Sequence, residues 1–307
     1  MAGLGCGGFS RLGLSTGSTD AQAVSLVRLA LDSGITLIDT AANYGTEGIV
    51  GQAVRHIARD SVVLTTKASV ERDGALIPSE RIIESLENSL RALETDYIDV
   101  FQLHGVPPRL YDYTMSTLAP VLMRERERGR FRFLGITEAS SHDLEHEVLR
   151  RAAGDEIWDV VMVAHHMLHR TATEHLFPHT MSNRIGTLLM YAVRSMFARP
   201  ELLQATMKEL AASGRIPASL ADDPRPLDFL IHPGGAESLT DAAYRFARHE
   251  PGVDVVLFGT GNADHLRANI ASILRPKLPA ADVERLLGLF GNVSGVGLHS
   301  PSERRQK

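Results

Sequence analysis

The chain has 307 residues, 44% of them hydrophobic, with 32 lysines and arginines against 37 aspartates and glutamates and a formal net charge of −5. Both signs are mixed along the chain with no basic stripe, which speaks against a nucleic-acid partner, and no apolar run approaches the ~20 residues of a spanning helix. Cys6 is the one cysteine, too few for an internal disulfide or a thiolate metal site, and the first residues lack the basic-then-apolar order of a signal peptide, so a globular cytoplasmic protein without a membrane partner is expected.

Short β-branched apolar runs alternate with stretches of helical period. Strands are read at 3–6, 35–38, 61–66, 97–103, 132–136, 158–164, 186–191 and 253–258, and helices at 21–33, 47–58, 79–93, 114–128, 141–152 and 263–272. Runs this apolar suit strands buried on both faces. Eight of them, nearly all followed by a helical stretch, predict an α/β fold: a (β/α)8 TIM barrel forming a single domain over 1–293. A long connection, 192–237, follows the seventh strand. It holds a helix over 200–213 and then a Pro/Gly/Asp-rich stretch, and connections of this length are commonly lids or disordered segments. The polar tail 294–307 is expected to fray.

Four polar side chains stand at strand ends: Asp39 after the second strand, Tyr44 just beyond it, Lys67 after the third and His104 after the fourth. Singly, each has a bland explanation: a turn cap for Asp39, a solvated ammonium for Lys67, a satisfied backbone group for His104. Three adjacent strands delivering ionisable groups to one rim is harder to dismiss, because that face is where such barrels carry chemistry. A phenol of pKa about 10 is a weak acid at neutrality. A neighbouring ammonium is expected to lower that value, a carboxylate to hold the ammonium, and an imidazole to orient a carbonyl oxygen. Hydride would have to come from a cofactor.

With these residues on the page, the chain resembles the aldo-keto reductase superfamily from about residue 3 to about residue 272. Gly34-Ile-Thr-Leu-Ile-Asp39-Thr-Ala-Ala-Asn-Tyr44-Gly-Thr-Glu47-Gly-Ile-Val-Gly51 resembles the family's strand-two signature, Thr65-Thr66-Lys67 its strand-three lysine, and Asp96-Tyr-Ile-Asp99-Val-Phe-Gln-Leu-His104 its strand-four segment. Gly259-Thr-Gly-Asn-Ala-Asp-His-Leu266-Arg-Ala-Asn269 resembles the cofactor loop and helix after strand eight. The resemblance implies a nicotinamide-dependent oxidoreductase acting on a small carbonyl or alcohol, with Tyr44 as general acid, Lys67 and Asp39 tuning it, and His104 orienting the carbonyl. It further implies cofactor contacts at Cys6, Gly7, Thr137, Met190, Gly259, Thr260, Gly261, Asn262, His265 and Asn269. The helix start near Gly259 would suit the adenosine phosphates.

The departures fall mainly on the cofactor. Thr137-Glu138 replaces the family's Ser-Asn, Met162 its strand-six glutamine and His165-His166 its Tyr-Asn. Met190 or Tyr191 supplies the stacking side chain, Met190 being favoured. His265 replaces the basic residue for the 2′-phosphate of NADPH, with Arg267 as a substitute; NADP(H) is favoured, with NAD(H) as the second choice. The resemblance also leads one to look for a β-hairpin plugging the barrel bottom. The chain reaches its first strand almost at once, so apolar groups are expected exposed at that end, or covered by the C-terminal segment or a partner. His165 and His169 stand four apart, a zinc-ligand spacing, but no Cys is near and no His-Glu-x-x-His occurs. No metal is assigned: His165 is expected to line the substrate pocket near His104, and the neighbouring histidines the surface. Substrate contacts are expected from 105–113 with Tyr111 and Tyr113, from 165–182, and from 192–237 with Phe197 and Phe229, suiting an aldehyde, ketone or sugar-like alcohol with a nonpolar part. The alternative is a non-enzymatic nucleotide-binding sensor or regulatory partner.

Overall fold

The computed structural model describes residues 1–299. Eight strands form the barrel, in chain order: β1 (Ala2–Gly5), β2 (Leu37–Asp39), β3 (Val63–Ser69), β4 (Ile98–Val106), β5 (Phe131–Glu138), β6 (Val160–Ala164), β7 (Gly186–Met190) and β8 (Val255–Phe258). All are parallel to their neighbours, and β8 pairs with β1 to close the barrel. The main helices are α1 (Asp20–Asp32), α2 (Glu47–Val54), α3 (Ser79–Leu93), α4 (Ala119–Glu127), α5 (Glu147–Gly154), α6 (Phe177–Asn183), α7 (Pro200–Ala212), α8 (Leu239–Arg248), α9 (Ala263–Leu274) and α10 (Ala280–Phe290). None of the described helices is long and apolar enough to cross a membrane.

Alternation within each strand divides the apolar residues between two environments. Outward groups such as Ile38, Leu64, Phe101, Leu134 and Val256 pack under the helices in the main core. Inward groups Leu37, Met162, Leu188 and Val255 fill the barrel. Side-chain caps mark some of the helix starts: Thr19 and Gln22 form a reciprocal box on α1, Ser238 caps α8 and Asn262 caps α9. At the barrel's N-terminal end Phe133, paired in register with Val100, is 45% exposed. A single exposed side chain is not a patch, and α10 packs into a second buried cluster.

The connection after β7 differs from a lid or a disordered segment. Leu203, Met207 and Leu210 of α7 join Phe246 of α8 and Leu286 and Phe290 of α10 in a second buried cluster. The segment after α10 is also fastened. His166 Nε2 lies 3.0 Å from the Val296 carbonyl, Gly295 N–H donates to His169 Nδ1 at 3.1 Å, and Arg194 donates to the His299 carbonyl at 2.7 Å. The fraying expected of the tail therefore does not hold through residue 299; residues 300–307 lie outside the described part.

Candidate active site

Strand pairing puts the polar groups together. Asp39 ends β2 opposite Thr65, and beyond it Thr40 N–H and Ala42 N–H still donate to the β3 carbonyls of Thr65 and Lys67. This extension, and a turn closed by Tyr44 N–H to Ala41, fix where the tyrosine emerges. Its ring lies against Gly7: a Cβ there would stand 2.5 Å from Tyr44 Cε2, so only glycine leaves the ring its place. Lys67 is fully buried, and its ammonium donates to both Asp39 oxygens, at 2.7 and 2.8 Å, and to the Thr40 carbonyl at 2.8 Å. Its three donors are thereby used. It faces the Tyr44 ring from 5.2 Å without bonding the hydroxyl. Tyr44 Oη sits 3.4 Å from His104 Nε2.

The expected lowering of the Tyr44 phenol does not occur. Burial raises it well above its ordinary value, and Asp39, Tyr191 and Cys6 add to the effect. The physical reason is that Asp39 holds Lys67 from two oxygens, so the pair shows the phenol little net positive charge. His104 is pushed down to about 3 by burial and then by Lys67, so its imidazole is neutral at ordinary pH. Burial raises Asp39 itself against the pull of Lys67.

Asp39, Tyr44 and His104 open onto a cavity of about 740 Å³. Of the cofactor residues expected from sequence, Gly7, Thr137, Met190 and Gly259 line it. Cys6 is buried behind the wall, with its thiol pushed up by burial and its N–H given to the Asp39 carbonyl at 2.7 Å. Thr260, Gly261, Asn262, His265 and Asn269 lie beyond the cavity lining. Two of the helix-start N–H groups, those of Asp264 and His265, are bonded to Asn262 Oδ1 at 2.8 and 2.9 Å. Gly261 packs backbone to backbone on Gly13. Both Met190 and Tyr191 reach the cavity.

Several expectations are corrected. Tyr111 is buried, its hydroxyl donating to Asp155 and accepting from Trp158 at 3.1 Å; Phe197 is in the second core, and Phe229 lies under Arg285. His165 does not line the pocket. It stacks on Phe246, rings 5.8 Å apart, with Phe177 at its edge. His166 and His169 are fully buried rather than on the surface. Among the described residues no three His, Cys, Asp or Glu side chains are placed to hold a metal ion. Glu138 is turned into the protein, its side chain fully covered, accepting from Ala164 N–H at 2.8 Å and lying 2.6 Å from His146 Nδ1. The cavity is walled instead by Phe9, Arg11, Ser140, His142 and Leu298, none singled out from sequence. The Gly7-Gly8 pair after β1 was the available signal for the first two; nothing local marks Leu298, which the fold brings in from the far end of the chain.

Known proteins resemble the chain over most of its length. The profile of the aldo/keto reductase family matches residues 3–289. "Aldo-keto reductase YhdN" of Bacillus subtilis is 30% identical over 288 residues, covering 84% of this chain and 83% of the relative. The "NADH-specific methylglyoxal reductase" of Escherichia coli is 31% identical over 206 residues, 57% of this chain and 61% of that protein. An aldo/keto reductase from Klebsiella pneumoniae, solved with NADP and acetate, has the same fold, with a TM-score of 0.67 at 23% identity over 94% of this chain and 90% of that one.

Proposed function

The chain belongs to the aldo/keto reductase family of nicotinamide-dependent oxidoreductases, and on that footing we propose that it interconverts an aldehyde or ketone and its alcohol where Tyr44 meets His104. The observation that carries the reading is the phenol 3.4 Å from a neutral imidazole, over a buried Lys67–Asp39 pair, on the floor of a cavity. A nicotinamide cofactor, when bound, supplies hydride to the carbonyl carbon. The chain's residues handle the oxygen. Tyr44, held protonated by burial, donates its proton to the forming alkoxide. His104, neutral, offers Nε2–H to the same oxygen and fixes its position between two donors. Lys67 and Asp39 hold the ground beneath the ring.

The residues fit such a cofactor. The cavity lies in the usual ~300–1,000 Å³ range for small-molecule sites, and Gly5, Gly7, Gly8 and Gly259 keep one wall free of side chains. Thr137 Oγ1 accepts from Gly105 N–H at 2.6 Å and keeps its own proton for the carboxamide oxygen. Met162 and Met190 offer a flat apolar surface for the ring. NADP(H) is the favoured form: Arg267 is exposed, tied to a still more exposed Asp264 at 3.2 Å, and such a pair yields at little cost to a 2′-phosphate. NAD(H) is the second choice, as the E. coli relative's name says of that protein. The mixed wall of Phe9, Tyr191 and Leu298 beside Ser140 suits a carbonyl compound carrying both apolar and hydroxyl groups.

The test is fluorescence titration with NADPH and NADH, followed by turnover of a carbonyl panel by wild type and Tyr44→Phe. Micromolar binding to both proteins, with turnover lost only in Tyr44→Phe, is expected. Retained turnover in that variant would falsify the role of the phenol. Nucleotide binding without any turnover in the wild type would favour a sensor.

A further inference from the structure

Below the Lys67–Asp39 pair the barrel interior holds two more polar side chains, both fully buried. Gln102 of β4 pairs in register with Lys67, and Thr65 of β3 with Asp39. Gln102 Nε2 donates to Thr65 Oγ1 at 2.7 Å, and Thr65 Oγ1 donates onward to Asp39 Oδ1 at 3.4 Å. Space for the amide is made by Gly135 on the next strand, where a Cβ would stand 2.7 Å from Gln102 Cγ. The other end of the amide is left wanting: Gln102 Oε1 is buried with no hydrogen-bond partner among the described residues. A buried oxygen without a donor costs about 1–3 kcal/mol, and an aliphatic side chain of similar volume would avoid that cost, as Leu37, Met162 and Leu188 do elsewhere in the interior. A local penalty of this kind next to reacting groups points to function.

We propose that Gln102 and Thr65 form a positioning relay, Gln102 N–H to Thr65 O–H to Asp39 carboxylate, that keeps Asp39 ionised and aimed at Lys67 beneath Tyr44. The proposal rests on the catalytic reading above. Thr65 has one proton, and the amide nitrogen bonded to its oxygen turns that proton towards Asp39. A donor to a carboxylate favours its charged form. The titratable groups facing Asp39 are Lys67 from β3, Cys6 from beyond β1 and Tyr44 from the loop after β2, with His104 of β4 facing Lys67. Burial keeps Cys6 and Tyr44 protonated and His104 neutral, so the acid limb of turnover belongs to Asp39. Neither Gln102 nor Thr65 lines the cavity, so neither touches substrate or cofactor.

Thr65→Val and Gln102→Met conserve volume, and Thr65→Ser restores the hydroxyl. Expected for each of the first two are a roughly fivefold to tenfold fall in kcat, an unchanged nucleotide dissociation constant, and an acid limb moved up by about half to one pH unit. Thr65→Ser recovers rate and limb. The double variant is no worse than the poorer single, because the two act in series. Losses that multiply with no movement of the limb, or wild-type kinetics in both singles, overturn the relay. If the wild type turns over no carbonyl, the catalytic reading is what fails. The relay is then read by carbon-NMR titration of Asp39, whose apparent pKa should stand higher in Thr65→Val than in Thr65→Ser; equal values overturn it.

Discussion

Lys67 gives all three of its protons to Asp39 and the Thr40 carbonyl, and this decides how Tyr44 behaves. A free ammonium would have drawn the phenol towards phenolate; one gripped by a carboxylate does not, and burial then dominates. The sign for rate follows. In the proposed reduction Tyr44 acts as the protonated phenol, so the rate should show no falling limb up to about pH 10, the ordinary phenol value. Alcohol oxidation needs the phenolate and climbs about tenfold per pH unit below that value. Steady-state profiles in both directions check this, and a reduction rate that falls away near pH 7 would count against it. Gly7 is a second residue-level lever. Its missing side chain is where the Tyr44 ring lies, so Gly7→Ala should cut kcat by about tenfold or more through misplaced chemistry, while the melting temperature stays near that of the wild type. Equal kcat in the two proteins would show that the ring tolerates displacement. The four polar residues were legible because each follows an apolar run. Their ionisation was not, because it depends on burial and on which acceptors Lys67 meets.

At the scale of elements, the eight strands could be read from apolar runs that are buried on both faces, and the helices from their period where a cap or proline marked the start. Three of these helices escaped, α6, α8 and α10. α8 carries a usable signal, Ser238 capping Asp241 N–H at 3.1 Å ahead of Leu239 and Ala242, but it sits behind a Pro/Gly-rich stretch that reads as loop. α10 follows Pro279 past the last expected strand–helix unit. The least legible feature is the joint between β5 and α5. Glu138 at the end of β5 meets His146 at the entry to α5, and His146 continues to Thr171 Oγ1 at 2.9 Å. Burial works against the imidazolium, but Glu138, helped by Asp143 and Glu145, outweighs it and His146 is raised; Glu138 is raised by its own burial. Both folded-state values lie above their unfolded ones, so the contribution is whole below the unfolded carboxyl value. It weakens as pH rises past that of Glu138, ~4.3, and then past that of His146, ~6.5, until both folded values are exceeded. Thermal melts from pH 5 to 9 should show wild-type stability falling with pH and Glu138→Gln, which keeps both contacts without the charge, falling less. His146→Ala strands a buried carboxylate and should cost about 3–5 kcal/mol at neutral pH. Parallel curves for wild type and Glu138→Gln would remove the pair from the pH dependence.

Over the whole molecule, closure of the barrel sets the catalytic floor, but the roof is assembled from sequence far away. α7, α8 and α10 share the second core, and the segment after α10 is tied to it by His166, His169 and Arg194. Gly297, at φ +67, turns the chain so that Leu298 is buried and faces the cavity. No local pattern announces this, because the information lies in packing between 160–215 and the end of the chain rather than in either stretch alone. Buried His166 and His169 are better understood as fasteners of that segment than as metal ligands or surface groups. Leu298 lines the cavity with an aliphatic side chain that can neither give nor take a proton, so it should act on substrate size and not on chemistry. Leu298→Ala should raise KM for a large apolar aldehyde by roughly threefold to tenfold, the worth of a few buried methyl and methylene groups, and leave kcat and the KM of a two- or three-carbon carbonyl unchanged. The comparison separates roof from floor: an equal rise for the small carbonyl would mean that the substitution had disturbed Asp39, Tyr44, Lys67 or His104, and no rise for either would mean that the substrate makes no contact with Leu298.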